Sequence, residues 1–230
     1  MTPPAPDQPD PDPPGSTAFS LVALVILCCA VELVLQLADW QIITATRLRV
    51  VVYEYFGFWV GLLHSWTPNY PSQPYLMFLT YGFLHGGLLH LAVNMVTLWS
   101  LGLAVLDRVG TRGFILLYTA SLLGGATGFA LLASTLAPMV GASGALFGLA
   151  GGLLAWGYVD RYSFHEALWP VARAAGLLLL LNLVMWWALN GQLAWETHLG
   201  GFVTGWVAAL LIDPRPHHAP QDSSGRDGDA

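Results

Sequence analysis

Gly141-Ala142-Ser143-Gly144-Ala145-Leu146-Phe147-Gly148 opens a strongly apolar segment just after a proline-containing turn, Ala137-Pro138-Met139. Ser143 carries the one polar side chain of the eight. A hydroxyl in the first turn of a buried helix either caps the unpaired amides of that turn or acts as a nucleophile that uses them as an oxyanion site. Taken alone, capping or packing is the commoner outcome. What changes the balance is what the rest of the chain brings to the same depth.

The composition sets the medium. With 55% apolar and 10% charged residues and a mean hydropathy of +0.59, the chain reads as a polytopic membrane protein. The net charge of −6 comes from acids concentrated in the tails, and no basic patch suggests nucleic acid. Cys28 and Cys29 are adjacent inside an apolar run, a packing arrangement rather than a disulfide framework. Residues 1–17 hold seven prolines and three aspartates, without the basic flank and cleavage site of a signal peptide, so a disordered tail is expected. A second polar tail is expected over 213–230, where His217-His218 is too short a pair to argue for a metal.

Apolar runs place six spans at about 19–37, 84–106, 113–136, 143–159, 171–189 and 195–212, together an 18–212 membrane domain. The first contains Glu32, which has no partner among its sequence neighbours and reads as a structural, bundle-facing carboxyl. Between the first and second spans lies a long connection, 38–83. Its apolar stretch at 50–63, interrupted by Glu54 and two glycines, suits an interfacial or re-entrant piece. The fold expected is an all-α, six-helix bundle with a long outer loop.

There is no lysine. Arg108, Arg112, Arg161, Arg173, Arg215 and Arg226 fall on the side of the termini, against Arg47 and Arg49 on the other, so both tails are expected to be cytoplasmic. Spans two, four and six then run in one direction. His90 lies seventeen residues before Asp107, Ser143 seventeen before Asp160, and His198 fifteen before Asp213. At about 1.5 Å per residue all three sit roughly 22–26 Å from the cytoplasmic boundary, a few Å below the outer surface.

Glycines supply close approach: Gly144, Gly148 and Gly152 recur every fourth residue in span four, as do Gly201 and Gly205 in span six. They are packing residues whose effect is to set His198, one turn before Gly201, beside Ser143. A serine hydroxyl needs a base to become a nucleophile, and histidine supplies one at neutral pH. Glu196 points to another face than His198, so a dyad rather than a triad is expected. His90 and Asn94, four apart on one helix face, can donate toward an oxyanion, together with the Ser143 amide. Read separately, His90 and Asn94 suit interhelical hydrogen bonding. Asn182 in the fifth span is read the same way, and His64 and His165 as solvated loop residues. Asp107-Arg108 is a candidate exposed pair of little consequence.

The pattern His85-x4-His90-x3-Asn94, Gly141-x-Ser143-Gly144 and His198-x2-Gly201-x3-Gly205, in order on alternate spans, resembles the rhomboid family of intramembrane serine proteases. The resemblance covers about 38–212. It implies a six-helix core, Ser143 as nucleophile, His198 as general base, and His90, Asn94 and the Ser143 amide as oxyanion site. It also implies a structural role for His85, a fifth span that moves to admit a substrate helix, and single-span transmembrane proteins as substrates in a lipid bilayer. No metal or organic cofactor is implied. Two positions depart from the family's common pattern: Phe147 stands where many members have tyrosine, and the region Ser72-Gln73-Pro74-Tyr75-Leu76 lacks a Trp-Arg pair.

A proteolytically silent protein that binds transmembrane helices is the alternative from another class, and the presence of both Ser143 and His198 weighs against it. A metal site on His85, His90 and His198 is disfavoured. The two-histidine, one-glutamate metalloprotease spacing is absent, and His85 and His90 would lie about 140° apart around a helix. The short chain and the lack of an import presequence point to a bacterial plasma membrane. Oligomeric state is not legible.

Overall fold

The structure, a computed structural model, describes residues 19–217. The tail at 1–17 and the part of the second tail at 218–230, both expected to be disordered, lie outside the described residues. Seven helices follow in order: α1 (Phe19–Asp39), α2 (Leu48–Phe56), α3 (Gln73–Thr80), α4 (Leu88–Leu132), α5 (Ser143–Ser163), α6 (Trp169–Ala188) and α7 (Trp195–Ile212). Short 3-10 turns at Val60–Leu63 and Tyr81–Phe83 complete the set. Among the described residues extended pairing is confined to one antiparallel bridge, Phe58 with Met139, and the fold is all-α.

Two expected spans fuse into α4. Straight, its 45 residues would reach about 68 Å, more than twice the apolar thickness of a bilayer. Gly110 breaks the helix with φ 65° and ψ −174°, a left-handed φ that glycine adopts without steric cost. The arms 88–109 and 111–132 fold back on one another, so a methyl group at Gly102 would lie 3.4 Å from Phe114 Cε2. The turn expected at 107–112 is therefore a single-residue break. The first arm starts at Leu88 rather than 84, because residues 84–87 are extended and turned, with the His85 carbonyl engaged elsewhere.

Of these helices α1, α4 and α6 are long and apolar enough to cross a membrane. α5 and α7 are the polar, glycine-rich centre of the bundle, where protein rather than lipid meets most of their surface. Ten of the 21 residues of α5 are buried, whereas α6 buries none. A Cβ on Gly201 would collide with the Gly144 carbonyl oxygen, and one on Gly205 with that of Gly148. The two backbones touch as the glycine spacing predicts. On its opposite side α7 meets the second arm of α4 in the same way: Gly200 and Gly128 approach so closely that a Cβ on either would lie 2.8 Å from the other's Cα. That second glycine seam had not been singled out in the sequence.

Each end of the bundle is tied by a partly buried arginine. Arg108 donates to both carboxylate oxygens of Asp160, at 2.6 and 3.1 Å, and to Asp213 at 3.3 Å, with its guanidinium 5.0 Å from the Trp156 ring centroid. It thus joins the ends of three helices, and the expectation of a minor exposed pair with Asp107 is corrected. Asp213, expected to open a free tail, is held there and also accepts from His217 Nε2 at 3.1 Å. At the other end Glu32, fully buried, receives a two-pronged pair from Arg49 at 2.8 and 3.0 Å. The sequence reading found no partner for Glu32 because Arg49 belongs to the connection seventeen residues later.

Candidate active site

The connection before α4 and the loop before α5 are joined backbone to backbone. Phe58 N–H donates to the Met139 carbonyl at 3.0 Å and Met139 N–H returns the bond at 2.9 Å, while Gly141 N–H donates to the Tyr81 carbonyl at 3.0 Å. Arg49 and the Tyr53 hydroxyl both donate to the His85 carbonyl, at 3.0 and 2.5 Å. These bonds fix the short turn that delivers His85 and His90 against the loop that delivers Ser143. The connection between α1 and α4 is a set of short helices pinned in place, and its anchoring arginine is Arg49, upstream of the region where the Trp-Arg pair is missing.

Ser143 is the first residue of α5, after Ala142 at the cap position, which makes no side-chain capping bond. The Ser143 hydroxyl is bonded instead to His198 on α7, with Oγ 2.9 Å from Nε2. The hydroxyl therefore sits at the helix N-terminus without capping it. Phe147, one turn along α5, lies flat against the imidazole, with centroids 4.1 Å apart and planes 7° from parallel. Stacking fixes the ring plane without a hydrogen bond. His198 is buried at 4% exposure, and Ser143 is partly open.

The other imidazole nitrogen has a partner that the sequence did not reveal. His198 Nδ1 lies 2.6 Å from Asn182 Oδ1 on α6. A carboxamide oxygen only accepts, so Nδ1 carries the proton and Nε2 presents its lone pair to the Ser143 O–H. That is the tautomer in which histidine accepts a proton from serine. Asn182 is interhelical, as expected, but its partner is the candidate base.

His90 faces the same place from α4. The Gly86 N–H donates to His90 Nδ1 at 3.1 Å, which leaves the ring proton on Nε2. A Cβ on Gly141 would lie 3.0 Å from that Nε2 and 3.9 Å from Ser143 Oγ. The bare α-carbon, at φ 125°, thus leaves a small space between an N–H donor and the hydroxyl, and only glycine suits both the backbone angle and the space. Asn94 is buried on the same face of α4, with its Nδ2 donating to the His90 carbonyl at 2.8 Å. That bond steadies the first turn of α4. His85 is fully buried, its ring edge-on to that of His90 with centroids 5.3 Å apart, in keeping with a supporting position.

The structure thus brings Ser143, His198, His90, Phe147 and Gly141 together, with Gly144 and Gly201 forming the contact beneath them. His64 and His165 are exposed in loops. Among the described residues no cluster of three or more His, Cys, Asp or Glu side chains could hold a metal ion.

Comparison with known proteins gives a consistent result. The model of the Rhomboid domain matches residues 72–215, from α3 to just past α7. RHOMBOID-like protein 4 of Arabidopsis thaliana is 33% identical over 141 residues, 61% of this chain and 34% of that protein. Rhomboid protease GluP of Bacillus subtilis (strain 168) is 35% identical over 130 residues, 56% of this chain and 24% of that protein. Rhomboid-like protease 3 of Toxoplasma gondii is 32% identical over 123 residues, 54% of this chain and 46% of that protein. The chain spans less than half the length of each of these relatives. Because the family match takes in more than half of the chain, and with it every helix that contributes to the Ser143 site, this integral membrane protein belongs to the rhomboid family.

Proposed function

We propose that the chain is an intramembrane serine endopeptidase that cleaves single-span transmembrane proteins near the outer face of the membrane. The observation that carries the reading is the 2.9 Å contact between Ser143 Oγ and His198 Nε2, at a helix N-terminus and beside a histidine N–H. In the reaction, Ser143 Oγ attacks the scissile carbonyl carbon as its proton passes to His198 Nε2. The carbonyl oxygen becomes an oxyanion in the space beside Gly141, where His90 Nε2–H, the Ser143 amide and the second Nδ2 hydrogen of Asn94 are the donors. His198 then gives its proton to the leaving amide nitrogen, and the C–N bond breaks to leave an ester on Ser143. Water, deprotonated by the same nitrogen, attacks the ester carbonyl carbon, and His198 returns the proton to Ser143 Oγ as the ester C–O bond breaks and the carboxyl product leaves.

The alternation of helix direction supports a six-span arrangement. Ser143, His90 and His198 gather at one end, and Arg108, Asp160 and Asp213 at the other. The arginine distribution supports a cytoplasmic location for the second end. The exposed apolar faces of α1 and α6, such as Ile26 and Leu179 at 61% and 62% exposure, meet lipid. Ser143 and His198 carry the bond-making and proton-transfer steps, and His90 and Asn94 serve as oxyanion donors.

The test is cleavage of a tagged single-span protein by the purified chain in lipid, with Ser143→Ala, His198→Ala and an EDTA arm, alongside labelling by a fluorophosphonate probe. Cleavage and labelling that vanish in both variants and survive EDTA uphold the reading. Cleavage that persists in Ser143→Ala overturns it. A folded sample that neither cleaves nor labels favours the helix-binding alternative.

A further inference from the structure

We infer that Asn182 is a positioning residue for the general base, so that the site works as a serine, a histidine and an asparagine contributed by three different helices. The inference rests on the proposed role of His198. Three features of the site carry it. The 2.6 Å approach of Asn182 Oδ1 to His198 Nδ1 is at the ring nitrogen not bonded to Ser143, so one imidazole is held at both nitrogens. A carboxamide oxygen at that place selects the tautomer with the proton on Nδ1, the one form of neutral histidine that can accept from the Ser143 hydroxyl. The Phe147 ring, stacked at 4.1 Å, restricts tilt but has no polar atom with which to choose a tautomer or to stop rotation in the plane.

The location on α6 adds a consequence. This helix buries no residue, and among the described residues its side-chain hydrogen bond to another helix is the one from Asn182. Neighbouring groups offer His198 no substitute: Glu196 precedes it by two residues, and His90 gives its Nδ1 to the Gly86 amide. The tautomer is therefore selected only while α6 holds Asn182 against His198. A displacement of α6 that breaks the bond leaves Ser143 and His198 in place but the tautomer unselected.

The test compares Asn182→Leu, which keeps the approximate size and loses the acceptor, with Asn182→Asp, which keeps the acceptor and adds charge. Ser143→Ala and His198→Ala run beside them. Readouts are the rate of fluorophosphonate labelling against pH, kcat and KM on a single-span substrate, and thermal stability in the same lipid. Asn182→Leu is expected to slow labelling and kcat about tenfold, the scale of one hydrogen bond, with KM and stability little changed. Asn182→Asp is expected to restore labelling to within a few fold and to move the acid limb of the profile to higher pH, since a carboxylate favours the imidazolium. A leucine variant that labels at the wild-type rate overturns the inference, and so does an aspartate variant no better than leucine in a folded sample. If Ser143→Ala or His198→Ala keeps activity, it is the parent reading that fails.

Discussion

Gly201→Ala adds one carbon to α7 and is expected to disable the site. In an isolated helix the change would be favourable by about 1 kcal/mol. Here the new methyl would lie 2.7 Å from the Gly144 carbonyl carbon and closer still to its oxygen. Both are backbone atoms, which cannot rotate aside as a side chain can. Moving the oxygen contact, the shorter of the two, out to ordinary van der Waals distance, 3.4 Å, requires a separation of about 1.5 Å between α5 and α7. Ser143 is next to Gly144 and His198 one turn before Gly201, so most of that displacement appears in the 2.9 Å Oγ···Nε2 contact. The contact would then reach about 4.4 Å, well beyond a hydrogen bond. A misplacement of that order lowers turnover roughly a hundredfold. The assay is fluorophosphonate labelling and cleavage by the variant in lipid, with thermal stability measured on the same sample. Gly176→Ala in α6 is the control, because a Cβ there meets nothing within 4 Å. A Gly201→Ala protein that labels and cleaves at the wild-type rate would refute the reasoning, since the glycine seam would then not set the distance between Ser143 and His198.

Two further outcomes concern the arginine ties. Arg49→Met strands the fully buried Glu32 carboxylate and removes one of the two donors to the His85 carbonyl. It is expected to destabilise the protein by about 3–5 kcal/mol, with much of the loss recovered in the Arg49→Met, Glu32→Met double variant; thermal unfolding of the three variants in lipid checks this, and a single variant as stable as wild type sinks it. At the opposite end, past the 143–159 span, burial by itself would raise the Asp160 carboxyl. The Arg108 hydrogen bonds, the His217 amide and the Arg108 charge outweigh it and hold the group below the usual carboxylate range. A depressed folded value means that the pairing contributes stability fully above the unfolded value of about 3.9 and loses it as pH falls through the lower folded value. Unfolding temperature should therefore drop on acidification below about pH 4, and Arg108→Gln should flatten that drop.

Ser143 and His198 were legible in the sequence because a polar group inside an apolar helix is costly and therefore marks itself. Their common depth followed from counting residues to the charged helix ends. The glycine spacing of α5 and α7 announced backbone contact, His90 came from the same count of residues, and Phe147 from the motif that resembles the rhomboid family. Asn182 was equally visible as a polar residue in an apolar run, but its partner depends on the rotation of α6 about its own axis. That helix is apolar all round, and its pattern carries no rotational signal. Arg49 and Glu32 were separated by a connection whose path no local rule gives, and Arg108 was read with its neighbour Asp107 because adjacency is all that a linear reading offers.

By itself the sequence determined that this chain lives in a membrane, that it is helical, which residues are too polar to be there without cause, and which small residues let two helices touch. Each of these follows from local physics: burial cost, helical rise and side-chain size. Only the tertiary structure decided that the Ser143 hydroxyl bonds to histidine rather than caps its helix, that α6 supplies an oxygen to the far side of that histidine, and that arginines from distant segments close both ends of the bundle. Those are contacts between helices, and they depend on rotation and on loop paths that are set by packing the whole chain at once.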